Sequence, residues 1–152
     1  DEALNGVCRS IRVTLDIDGA CTVADDGRGI PVAALPNGRS ALEVVLCELH
    51  AGGKFRAGAY EVAGGLHGVG LTCVNALSSE LTATVRRDGR RYSLQCARGI
   101  VTHGLQDLGP DAATGTTIRF APDPLIFADG VRIDRPALSR FLEEQAFLLE
   151  KK

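Results

Sequence analysis

At 152 residues with 45% hydrophobic content, the chain has the size and apolar supply of one compact domain. Its formal net charge of -2, with Lys and Arg scattered among Asp and Glu, excludes a global electrostatic field suited to nucleic acid or membrane surfaces, so any DNA contact must be local. Five cysteines (Cys8, Cys21, Cys47, Cys73, Cys96), odd in number, widely spaced and without a C-x-x-C pair, argue against a disulfide framework or zinc site and are expected to be reduced cytoplasmic thiols. No apolar run approaches a membrane span, and the N-terminus lacks the basic start and apolar stretch of a signal peptide. Beginning at Asp1 rather than Met, the chain reads as cut from a longer one.

Ile11, Val13, Leu15 and Ile17 alternate with polar residues, Asp18-Gly19 supplies a tight turn, and Cys21 and Val23 resume the alternation, which predicts a hairpin. Asp25 to Pro31 follows the second strand directly, so its carboxylates fall at a strand end, where the chain turns and backbone groups become available to a ligand. Ser40 with Glu43 forms a capping-box pattern, and Leu42, Val45, Leu46 and Leu49 recur at helical spacing, predicting a helix from about Ser40 to His50. Ala51 to Gly65, rich in Gly and Ala and carrying Lys54, Phe55 and Tyr60, is expected to be a mobile lid. A second helix is predicted from about His67 to Leu77, with Val69, Cys73, Val74 and Leu77 on one face. Strands follow near Leu81 to Val85 and Arg91 to Gln95, joined at Asp88-Gly89, with short strands near Val101 and from Thr116 to Phe120, as a second antiparallel stretch. From Arg135, the spacing of Leu138, Phe141, Leu142, Ala146 and Leu149 predicts a C-terminal helix. No internal repeat, low-complexity tract or linker divides the chain.

Three short segments carry the chemistry: Asp25-Asp26-Gly27-Arg28-Gly29-Ile30-Pro31, Ala51-Gly52-Gly53-Lys54-Phe55 and Gly64-Gly65-Leu66-His67-Gly68-Val69-Gly70. Together they describe a nucleotide site. Glycines opening a helix leave unpaired backbone N-H groups that suit phosphate, although glycine clusters also simply end lids and turns. Two familiar phosphate motifs fail here. Gly65 and Gly70 have the glycine spacing of a phosphate-loop NTPase, but Leu71 stands where that motif requires Lys, and Gly68-x-Gly70 lacks the third glycine of the dinucleotide fingerprint. Asp25 and Asp26 read either as paired acids or as turn caps; a fixed carboxylate there would accept the exocyclic N-H of a purine, so recognition fits better than proton transfer. Lys54 would bring a flexible positive charge to phosphates or remain a solvated loop lysine. His67 would donate to phosphate or cap the helix, the structural role being favoured, and neither His50, His67 nor His103 has a nucleophile or metal-ligand pattern beside it.

Asp25 to Pro31, Leu49 to Phe55, Gly64 to Gly70 and Val74-Asn75-Ala76-Leu77-Ser78 resemble the ATPase domain of bacterial type II topoisomerase B subunits, those of DNA gyrase and topoisomerase IV, from Asp1-Glu2-Ala3 to about Phe147. The related heat-shock chaperones, histidine kinases and mismatch-repair ATPases share the acidic and glycine boxes but not the Ala51 to Phe55 segment. The resemblance implies an α/β fold, a two-layer sandwich of a mixed, largely antiparallel sheet with helices on one face, the Bergerat-type ATPase fold. It implies that Asp25 binds the adenine amino group with help from Gly29 and Thr116, and that Ile30 and Pro31 line the adenine pocket. Lys54 and Gly64, Gly65, Leu66, His67, Gly68, Val69 and Gly70 would surround the triphosphate, with Tyr60 joining the lid. Arg28 and Arg87 would flank the pocket mouth, where aminocoumarin-type inhibitors that overlap ATP bind.

The same resemblance implies ATP and Mg2+ as cofactors, with the magnesium-binding Asn and the general-base Glu on a helix upstream of Asp1, so no catalytic or metal-binding residue is expected within the chain. The expectation is therefore a single ATP-binding domain over 1-152, truncated at the N-terminus and lacking the transducer domain whose Lys reaches the terminal phosphate. Glu61 stands where the family usually has Lys, which weakens the positive charge of the lid. The parent would be a cytoplasmic enzyme without membrane attachment, partnered by a gyrase A-type subunit and DNA and dimerising with ATP through segments outside this chain. It would couple ATP binding and hydrolysis to DNA strand passage, while the fragment alone would be inactive in hydrolysis. The competing reading is a non-hydrolysing nucleotide-binding or subunit-interaction module of the same fold.

Overall fold

The computed structural model describes residues 3, 5–49, 69–128 and 132–150. Among the described residues, nine elements run β1 (Ile11–Leu15), β2 (Cys21–Asp25), α1 (Ala41–Cys47), α2 (Gly70–Ala76), β3 (Ser78–Arg87), β4 (Arg90–Ala97), β5 (Ile100–Pro110), β6 (Gly115–Pro122) and α3 (Arg135–Glu150). The strands form one six-stranded sheet in the order β1-β2-β6-β3-β4-β5, with every described pairing antiparallel. The expected first hairpin and second antiparallel stretch are thus parts of a single sheet. β6, the last of the described strands, joins them by entering between β2 and β3, with Val23 opposite Ile118 on one side and Ala83 opposite Ile118 on the other.

Hairpin chemistry sets the register. At the β3–β4 turn, Asp88 and Gly89 take φ of 53° and 74°, the paired positive values of a tight two-residue turn whose twist matches its strands. The β4–β5 turn has the same signature at Arg98 (φ 50°) and Gly99, although Arg is not a turn-forming residue. Arg98 is held there by its N-H on the Ser78 carbonyl at 2.8 Å and by its Nε on the buried carboxylate of Asp123 at 2.6 Å. β5 extends over eleven residues, where the sequence pattern indicated only a short strand near Val101. Its burial pattern shows why: the side chains are mostly exposed, so alternation is weak and the pairing with β4 carries shifts in register.

Alternation along β3 and β4 turns Leu81, Ala83, Val85, Leu94 and Cys96 to one face, where Leu42 and Leu46 of α1 and Ile118 of β6 complete the core. α1 and α2 lie against each other and on the sheet, giving the two-layer arrangement expected from the resemblance. Ser40 caps α1, its Oγ accepting the Glu43 N-H at 3.1 Å, while the Glu43 carboxylate pairs with Arg39 Nε at 2.6 Å rather than returning to the cap. α1 ends at Cys47, short of the predicted His50. Side chains of α2 take its last carbonyls: Thr72 Oγ1 donates to Val45 and Glu48 oxygens at 3.2 Å each, and Asn75 Nδ2 to Leu46 oxygen at 3.0 Å. The described part of α2 begins at Gly70 and ends at Ala76, one residue before the predicted Leu77; the predicted start at His67 lies outside the described residues. Asp134 caps α3, its Oδ1 accepting from Ala137 N-H at 3.1 Å.

Leu46 has no exposure, whereas Ile17, in the same alternating run that predicted β1, is 94% exposed beyond the strand's end. Leu46→Ala should therefore cost roughly 2–5 kcal/mol in urea unfolding, and Ile17→Ala less than about 0.5 kcal/mol.

Candidate functional site

At one end of the sheet, the last residue of β2, the first residues of β6 and the last residues of β3 come together. Asp25 ends β2, and its Oδ1 accepts the N-H of Gly27 at 2.9 Å and of Thr116 at 3.2 Å. Thr116 is buried, and its Oγ1 accepts the Ile30 N-H at 3.1 Å. One carboxylate and one hydroxyl thus hold both ends of the Gly27 to Ile30 turn against β6. Ile30 packs on the apolar core, while Pro31 is exposed beside it.

Two glycines make this closeness possible. Gly29 has φ of 78°, and a Cβ there would lie 2.6 Å from the Arg86 carbonyl oxygen and 3.1 Å from Val85 Cγ1. Gly115 has φ of 130°, and a Cβ would fall on the Asp25 carbonyl oxygen. Arg87, on the last turnward position of β3, donates from Nη1 to the Gly29 oxygen at 2.7 Å and from Nε to Asp88 at 3.0 Å. Arg86 is engaged by Asp111, Nε to Oδ2 at 3.2 Å.

The structure therefore brings Asp25, Gly29, Ile30, Thr116 and Arg87 together, with Arg28 exposed on the same turn. It separates the two acids. Asp26 Oδ1 accepts the N-H groups of Arg9 and Ser10 at 2.8 and 2.9 Å, so this carboxylate anchors the segment before β1 and is not the second member of an acid pair. Those backbone donors, Ser10 first and then Arg9, with the Cys8 thiol, hold its carboxyl below the usual carboxylate range. Val69 and Gly70 open α2 without a side-chain cap, and a Cβ at Gly70 would meet no atom within 4 Å, so packing among the described residues does not require glycine there. Lys54, Tyr60, Gly64, Gly65, Leu66, His67 and Gly68 lie outside the described residues. No group of three or more His, Cys, Asp or Glu able to hold a metal occurs among the described residues.

Gly115 and the Arg86 carbonyl are parts of the cup that the sequence did not disclose. The signal available was Gly115 next to Thr116 at a strand start, and its meaning depends on β6 lying beside β2, a pairing between segments distant in the chain.

A family model described as histidine kinase-, DNA gyrase B- and HSP90-like ATPase matches residues 1–125. The chain belongs to this ATPase family. The DNA gyrase B subunit of Thermotoga maritima is 51% identical over 150 residues, covering 98% of this chain and 23% of that protein. The DNA topoisomerase 4 B subunit of Caulobacter vibrioides is 46% identical, covering 97% of the chain and 22% of that protein. The chain thus spans less than a quarter of the length of these curated relatives. Among solved structures, the 43K ATPase domain of Thermus thermophilus gyrase B in complex with an aminocoumarin superposes with a TM-score of 0.84 at 38% identity, over 98% of this chain and 37% of that one.

Gly29→Ala combines a left-handed backbone with collision on β3, so it should cost roughly 2–5 kcal/mol in denaturant unfolding. Gly38→Ala, at φ of 81° with nothing within 4 Å, is the control, and should cost only about 1–2 kcal/mol. Because the Asp26 carboxyl is depressed, the stability it contributes is present above its unfolded value and lost as pH falls through the lower folded one. The stability gap between the protein and Asp26→Asn should accordingly be full at neutral pH and close in acid; a gap that stays constant through acid pH would contradict this role.

Proposed function

We propose that this chain is the ATP-binding core of the B subunit of a bacterial type II DNA topoisomerase. Its parent would be a cytoplasmic enzyme coupling ATP binding and hydrolysis to passage of one DNA duplex through another, with a gyrase A-type subunit and a second copy of its own chain as partners. The observation that carries this reading is the cup in which Asp25, Gly29 and Thr116 are locked together at the end of β2 and β6. A carboxylate fixed by two backbone donors keeps its second oxygen in a defined direction, as required to accept an exocyclic amine of adenine. Pre-fixing lowers the ordering cost of binding.

In this reading the backbone and hydroxyl of Gly29 and Thr116 complete the adenine contacts, directly or through water, and Ile30 and Pro31 supply the apolar wall. Lys54 and Gly64 to Gly70 would enclose the triphosphate, Tyr60 would cover it, and Arg28 and Arg87 would form the mouth. Recognition rather than proton transfer is the role assigned to Asp25, whose Oδ1 already holds two backbone N-H groups, while Asp26 anchors the segment before β1. Magnesium would neutralise phosphate charge when bound, but the described residues do not form a site for it. By the family resemblance, its Asn ligand and the general-base Glu belong to a helix before the Asp1-Glu2-Ala3 position.

Asp25→Asn tests the adenine assignment. An amide oxygen can still accept backbone N-H groups, but charge assistance is lost, so the domain should fold while ATP affinity falls by about 1.5–3 kcal/mol, roughly 10- to 150-fold. Calorimetric titration of the folded variant decides it, and unchanged affinity would refute the assignment.

Arg87 donates to the Gly29 oxygen, which supports its assignment to the mouth of the proposed site. Aminocoumarins should compete with ATP, and Arg87→Ser should weaken the inhibitor more than the nucleotide, because a planar guanidinium gives a directional contact that a hydroxyl cannot. Competition titrations measure both; equal losses would place Arg87 outside the inhibitor site.

Residues 1–152 by themselves should bind ATP and release no phosphate at a useful rate, whereas a longer chain including the family's Glu and Asn and the transducer domain should show magnesium-dependent turnover. Phosphate release from the two, side by side, is the measurement. Robust hydrolysis by the short chain would show that its own residues supply the base, and an inactive longer chain that still binds ATP would favour a non-hydrolysing module.

A further inference from the structure

At the end of the sheet opposite the cup, where β3 begins and β6 finishes, the structure leaves a cavity of about 330 Å3. Val74 and Leu77 wall it from the end of α2, Phe120 and Pro122 from β6, and Phe127 and Ile133 from between β6 and α3. All six are apolar and none is buried, so the cavity keeps apolar surface that the core has not covered. Polar groups of the wall are already engaged. Ser78 is buried and donates its hydroxyl to the Val74 carbonyl at 2.5 Å, the Leu77 N-H goes to the Cys73 oxygen at 3.0 Å, and the Leu77 oxygen takes the Asp123 N-H at 3.0 Å. The exception is Arg132, an exposed residue of the lining that forms no hydrogen bond or ion pair among the described residues. The acids that flank it in sequence are held elsewhere: Asp123 by Arg98 and the Leu125 N-H, Asp134 by the Ala137 N-H. Ligand pockets have this composition, mostly apolar walls with few polar groups to fix orientation and volumes from roughly 300 Å3 upward.

We propose that this cavity binds a free medium-chain fatty carboxylate, its chain among Val74, Leu77, Phe120 and Phe127 and its carboxylate on the Arg132 guanidinium. With Ser78 and the Leu77 backbone already bonded, a ring bearing heteroatoms would find no partner on these walls, whereas a methylene chain requires only apolar contact. A single cation on the lining suits a ligand with a single charged end, and a planar guanidinium meets a carboxylate through two parallel N-H bonds. The volume lies at the lower end of ligand pockets, which suits a chain such as decanoate rather than a polycyclic cofactor. Cavity and cup occupy opposite ends of β3 and β6, so this site is separate from the one proposed for ATP and its filling needs no nucleotide.

The test is a titration of the full 152-residue chain with decanoate, followed by the methyl resonances of its NMR spectrum. Methyls of Val74, Leu77 and Ile133 should shift saturably, while those of Ile30 and Val85 beside the cup stay in place. Affinity should rise from hexanoate through octanoate to decanoate by roughly fourfold per methylene. Arg132→Gln should weaken decanoate by roughly 2- to 5-fold, the contribution of an exposed ion pair, and decanol should bind the unaltered protein more weakly by a similar factor. Leu77→Trp, which places an indole in the cavity from a position that is already exposed, should abolish the shifts at Val74 and Ile133. The titration of the unaltered protein decides the matter if that variant fails to fold. Shifts confined to the cup, shifts that never saturate, or decanol binding as tightly as decanoate would overturn the proposal.

Discussion

The contact between the end of β2 and the start of β6 governs the rest of this structure. Asp25 and Thr116 satisfy each other's segment through one charge-assisted and one neutral hydrogen bond, and Gly115 lets the two backbones approach closely enough to make them. Because β6 is also the partner of β3, this contact fixes the end of β3 beneath the Gly29 turn, where Arg87 closes on the Gly29 oxygen. A cup that would read a purine edge is thus the same set of bonds that joins the two halves of the sheet. Binding geometry and sheet integrity share their atoms, and little freedom remains for one to vary without the other.

The helical layer shows a second economy. α1 and α2 are each only seven residues, too short to persist alone, and α1 is held by burial of Leu42 and Leu46 and by capping from α2. Thr72 and Asn75 supply to α1 the partners that its last carbonyls lack. The capping side chains belong to another helix, so α1 ends where α2 terminates it.

Elements whose signal was local were legible in the sequence: the β1–β2 hairpin through Asp18-Gly19, the β3–β4 turn through Asp88-Gly89, and the start of α1 through Ser40. The end of α1 was not, because Leu49 continues the apolar spacing but is exposed, and the stop comes from α2. Arg98 hid a turn because its positive φ is held by Ser78 and Asp123 rather than by its own chemistry. At the candidate site, the Asp25 to Pro31 segment was readable as a strand-end turn. The division of labour between Asp25 and Asp26 was not, since it depends on which distant backbone N-H groups each carboxylate meets.

The position of β6 also has a kinetic meaning. The hairpins β1–β2, β3–β4 and β4–β5 join neighbours in sequence and can close early, on the microsecond scale of roughly 1–10 μs typical of hairpins. β6 must instead find β2 across most of the chain, a long-range pairing whose loop-closure entropy is met before any contact rewards it. Docking of β6 is therefore the natural late step of folding, and the cup does not exist before it. A nucleotide that engages Asp25 and Thr116 together would recognise only molecules that have completed that step, acting as a latch on the finished chain.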